Sequence, residues 1–109
     1  MMTMGSINVH GEVSMPGEIE TAPGQIAVTL DRAEPTAAAT HATVISGDGY
    51  RASIPLDMLW SGGVVSIEGG ALRLRVVDGD TLCWNVKDVA EIEVSVGRQP
   101  DDVPEKPSH

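Results

Sequence analysis

His41-Ala42-Thr43-Val44-Ile45-Ser46, then Gly47-Asp48-Gly49, then Tyr50-Arg51-Ala52-Ser53-Ile54 reads as strand, glycine turn and returning strand, a β-hairpin near the middle of a 109-residue chain. Pro55 follows where a helix can start, because the first helical position needs no N–H donor. Leu56, Leu59 and Trp60 then share one helical face, so a short helix is expected over Pro55–Trp60. Gly62-Gly63 ends it.

Beyond this centre the same grammar repeats. Val64–Ile67 and Ala71–Val77 flank Glu68-Gly69-Gly70 as a second hairpin, with Leu72, Leu74 and Val76 on one face and Arg73 and Arg75 on the other. Asp78-Gly79-Asp80 makes a third turn, and Thr81–Trp84 and Val89–Val96 are the closing strands. Arg73 and Arg75 are expected to pair across strands with Glu91 and Glu93. Toward the N-terminus, Ser6–Val13 forms a strand bent at His10-Gly11, Glu18–Thr21 a short strand, and Gln25–Leu30 a strand with Ile26, Val28 and Leu30 on one face. Asp31–Thr40 reads as a loop, since Pro35 pushes its predecessor out of the α region. Glycine turns at this spacing imply a single mainly β domain over residues 1–96, a compact sandwich or barrel-like mixed sheet with one short helix. Residues 97–109, proline-containing, charged and nearly devoid of apolar side chains, read as a disordered tail.

Composition narrows the function classes. Sixteen carboxylates against seven Lys and Arg give a formal charge of −9, which repels nucleic-acid phosphates and anionic headgroups. Neither nucleic acid nor a membrane surface is therefore an expected partner. There is no Phe, and Tyr50, Trp60 and Trp84 are the aromatic residues, so a core of Val, Ile, Leu, Ala and Met is expected. With one cysteine, Cys83, no intramolecular disulfide forms. With no basic, apolar leader at Met1–Gly11 and no apolar run of membrane-spanning length, a cytoplasmic location is expected. His10, His41 and His109 lack metal-ligand spacing, and neither a nucleophile elbow nor a phosphate-binding glycine loop occurs.

Four segments, in order, carry a family resemblance. Gly49-Tyr50-Arg51-Ala52-Ser53-Ile54-Pro55-Leu56, Gly69–Val77 (Gly-Gly-Ala-Leu-Arg-Leu-Arg-Val-Val), Trp84-Asn85-Val86-Lys87-Asp88-Val89 and Ala90-Glu91-Ile92-Glu93-Val94 resemble elements of the molybdopterin-binding domain of the sulfite oxidase family. A fainter opening match is Ile7–Val13 with Pro16. The resemblance covers a little over half the chain, from about Thr40 to Val96. It implies a trimmed version of that fold, because the stretch between the opening strand and Tyr50 is short and contains no cysteine where the family carries its molybdenum-ligating thiolate. Cys83 lies beyond Tyr50, in the closing region, and reads as a small core hydrophobe; no metal ligand is assigned.

By that resemblance Tyr50 aligns with an active-site tyrosine, and Lys87, with Arg51 beside Tyr50, with a cofactor-binding site for the pterin and its phosphate. Read as residues alone, Tyr50 packs its ring on the sheet, Lys87 is a surface lysine at a strand end, and the arginines pair with carboxylates. Two functions remain. One is a molybdopterin-fold domain binding a pterin-type or other small anionic ligand; any activity would be that of a molybdenum-dependent oxidoreductase. The other is a cofactor-free interaction or oligomerisation module, with the Gln25–Leu30 edge pairing with a protein partner or in a homo-oligomer.

Overall fold

The computed structural model describes residues 5–76 and 85–97. Strands β1 (Gly5–Gly11), β2 (Gly17–Thr21), β4 (His41–Ser46), β5 (Arg51–Pro55) and β8 (Val89–Ser95) form a mixed sheet in the order β2-β1-β8-β4-β5. Strands β3 (Gly24–Gln25), β6 (Gly63–Glu68) and β7 (Ala71–Val76) form a smaller sheet in the order β3-β6-β7. Helices α1 (Ala27–Ala33) and α2 (Leu56–Gly62) complete the described elements. The fold is mainly β, and neither sheet closes into a barrel.

Alternation sets the large sheet's two faces. Ile7 and Val9, Ile92 and Val94, Ala42 and Val44, and Ala52 and Ile54 are all at most 1% exposed, while Asn8, Glu91, Glu93 and Arg51 project from the opposite face. Strand β8 is the hub. It runs parallel to β1, with Val9 opposite Ile92, and antiparallel to β4, with Val44 opposite Ile92. The bend read at His10-Gly11 is real: Gly11 has φ +94°, and a side chain there would run into the Val94 carbonyl. The second sheet adds Val65, Leu72 and Leu74, and the helices add Ile26, Leu30, Ala33 and Leu59, to one continuous core.

Both hairpins form with the expected partners: Thr43 lies opposite Ser53, and Val65 opposite Leu74. The helix expected at Pro55–Trp60 forms as Leu56–Gly62.

Three expectations are corrected. Gln25–Leu30 is not a strand. Only Gly24–Gln25 pairs, with Val64 and Val65, and the chain then turns into α1. The buried positions Ile26, Thr29, Leu30 and Ala33 follow helical spacing, and Val28 is 61% exposed. The described residues thus hold two helices rather than the one expected, and Gln25–Leu30 is not a strand edge open to subunit pairing. The loop read over Asp31–Thr40 begins later than expected, because α1 runs to Ala33; Glu34, just before Pro35, caps it at φ 55°. Finally, Arg73 and Arg75 do not reach Glu91 and Glu93. Strand β7 pairs with β6, so both arginines face Glu68 instead, at 3.5 and 3.0 Å. The strand expected at Thr81–Trp84, Cys83 and the tail from Arg98 onward lie outside the described residues. Gly97, where that tail was expected to begin, is tied down: its N–H donates to Thr40 Oγ1 at 2.7 Å.

No helix among the described residues is long and apolar enough to cross a membrane.

Candidate functional site

Tyr50 stands at the entry to β5, placed there by a tight turn. Gly49 N–H donates to the Ser46 carbonyl, Ser46 N–H donates to the Tyr50 carbonyl, and the Tyr50 N–H donates to Ser46 Oγ and Asp48 Oδ1. Its side chain continues the inward series of Ala52 and Ile54 and is 1% exposed, the largest fully buried side chain among the described residues. Arg51 therefore points to the opposite face. Its guanidinium meets Glu93 Oε1 at 3.4 Å, a half-exposed pair worth up to about 1 kcal/mol. The Arg51 Nε and the neighbouring hydroxyl of Thr43 are buried without a hydrogen-bond partner.

Lys87 is elsewhere. It follows Val86, whose backbone bridges to Leu74 of β7 in both directions, at 2.8 and 2.9 Å. There it lines an open hollow of about 260 Å³ with Glu68, Ala71, Arg73 and Asp88. Arg73 is already engaged, donating to Asn85 Oδ1 at 2.9 Å and facing Glu68. The Ser66 hydroxyl, and then the Arg75 and Arg73 guanidiniums, hold the Glu68 carboxyl below its ordinary value of 4.5. The hollow thus carries two cations and two carboxylates, not a positive pocket.

The three residues marked by the resemblance are therefore split between the core, the outer sheet face and the β7 side. Among the described residues they do not line one cleft, and they do not fit a shared pterin, so no chemical step is derived through that cofactor. No group of three His, Cys, Asp or Glu suited to a metal occurs among the described residues. His10 instead donates from Nε2 to Glu91 Oε2 at 2.7 Å, and His41 Nδ1 is hydrogen-bonded to Thr40 Oγ1 at 2.9 Å.

The larger hollow was not foreseen. It measures about 470 Å³ and is lined by Ala39, Thr40, Leu56, Asp57 and Trp60, within the size range of small-ligand sites. Trp60 was expected to share the buried face of α2 with Leu56 and Leu59. Leu59 is buried, but Trp60 is 38% exposed and stands with Leu56 and Asp57 on the flank that faces the hollow. The i, i+4 spacing of Leu56 and Trp60 held that signal, yet in a two-turn helix the spacing alone does not say which flank is covered.

Compared with known proteins, the chain matches no family model and no curated protein.

Proposed function

We propose that this chain is a cofactor-free binding module that contacts its partner through the hollow beside α2. The dispersal of Tyr50, Arg51 and Lys87 carries the reading: a pterin needs donors converging on one cleft, whereas these side chains point to three different surroundings. The exposed indole of Trp60 beside a roomy, mostly apolar hollow supplies the kind of aromatic anchor that binding surfaces use. The test is the molybdenum and pterin content of protein purified from a cofactor-replete host, by elemental mass spectrometry and oxidised-pterin fluorescence. Neither should exceed background, and Lys87→Ala and Tyr50→Phe should leave partner binding unchanged. Near-stoichiometric metal or pterin would overturn the reading.

A second reading, a small anionic ligand at the β7 hollow in a molybdopterin-type fold related to sulfite oxidases, draws support from Lys87, whose ammonium lines that hollow, against the two carboxylates that share it. It requires that inorganic phosphate shift the Lys87 side-chain resonances saturably.

A further inference from the structure

We infer that the hollow beside α2 receives an arginine side chain from a basic protein partner; this rests on the binding-module reading above. Thr40 is pinned on every polar atom. Its N–H donates to the Ser95 carbonyl at 3.0 Å, its carbonyl accepts from Leu56 N–H at 2.8 Å, and its hydroxyl oxygen accepts from Gly97 N–H at 2.7 Å while bonding His41 Nδ1. The side chains of Ala39 and Leu56 are apolar. Two side-chain polar groups remain on the wall, the Trp60 indole N–H and the carboxylate of Asp57, whose Oδ1 accepts from Met58 N–H at 2.9 Å. Among the described residues that line the hollow, Asp57 is the one charged side chain.

Asp57 in the first turn of α2 is favourable for the helix by itself, since a carboxylate there complements the unpaired N–H groups. That does not explain the exposed indole one turn away. A carboxylate and an open aromatic face at one apolar hollow together suit a cation with an apolar stem. The methylenes of an arginine would lie along Leu56 and Ala39, its guanidinium plane over Trp60, and its N–H fork on Asp57. Lysine would supply a point charge without the planar stacking. The formal charge of −9 favours encounter with a basic partner.

The probe is a capped Leu-Arg-Leu tripeptide, with Leu-citrulline-Leu as its uncharged twin, titrated into the full-length protein. The Trp60 indole N–H resonance, assigned by its loss in Trp60→Phe, is followed by NMR. The arginine peptide should shift it saturably, the citrulline peptide should bind about tenfold or more weakly, and Asp57→Asn should erase that difference. Added salt should weaken the arginine peptide more than its twin. Equal binding of the two peptides would overturn the inference and mark the hollow as a purely apolar site. No shift at millimolar peptide would overturn it as well, without touching the cofactor measurement on which the module reading stands. A Trp60 shift produced by protein concentration alone would assign the hollow to a second copy of this chain and overturn it too. Trp60→Ala and Asp57→Asn alter exposed side chains, so retained circular dichroism separates lost binding from lost folding.

Discussion

Glu68 lies at the tip of the β6–β7 hairpin, where Ser66 donates to its Oε2 at 3.1 Å and two guanidiniums stand close by. Its folded carboxyl is held down first by the Ser66 hydrogen bond and then by Arg75 and Arg73. A depressed carboxyl contributes stability above its unfolded value, and that contribution is lost as pH falls through the lower folded value. Any acid sensitivity from this residue therefore sits below pH 4.5. Because the group is exposed, the effect on stability is small. Side-chain NMR titration should place the Glu68 midpoint below that of an ordinary glutamate. Ser66→Ala should raise it more than added salt does, since the hydrogen bond leads and the charges are screened. A midpoint insensitive to Ser66→Ala would show that the arginines dominate. Tyr50 makes a different point at the same scale. The family resemblance aligned it with an active-site tyrosine; in the structure its parity with Ala52 and Ile54 on an edge strand sends the ring into the core.

Strand and hairpin positions were legible because period-2 alternation and glycine turns are local signals. β4–β5 and β6–β7 pair across short turns, and both were read with the right partners. Helix α1 was not legible, for a specific reason. Ile26 and Leu30 are four apart, a separation that fits an even strand position and a helical face equally well, and Val28 between them completed a false alternation. Thr29 and Ala33, buried with Ile26 and Leu30, would have tipped the balance toward a helix, but a threonine and an alanine are weak apolar markers. The distinction is measurable. Leu30→Ala removes a fully buried side chain and should cost about 3 kcal/mol in denaturant unfolding. Val28→Ala, on the exposed flank, should change stability by less than about 0.5 kcal/mol. Equal costs would restore the strand reading. The hollow beside α2 was illegible at this level too, because Ala39 and Thr40 come from outside the helix and are joined to it by the Thr40–Leu56 hydrogen bond.

At the scale of the whole molecule, the central pairing is the least local. β1 and β8 lie side by side and parallel, and the His10–Glu91 contact between them spans 81 residues of sequence. No turn signal announces such a pairing, which is why the sheet order could not be read from adjacent hairpins. Non-local closure must pay loop entropy before it gains contacts, so folding should proceed in roughly milliseconds to seconds. Stopped-flow refolding of the full chain, followed by tryptophan fluorescence, checks this; a phase complete within microseconds would contradict it. The same arrangement bears on how the protein is made. β8 emerges from the ribosome after β1 and β4, yet its place is between them. Until it arrives, neither β1 nor β4 can make the backbone hydrogen bonds that β8 supplies to both, and those edges are left to water or to another strand. A β8 borrowed from a neighbouring chain has the same register available to it, so the interval of synthesis before residue 89 is when this protein is most open to strand exchange.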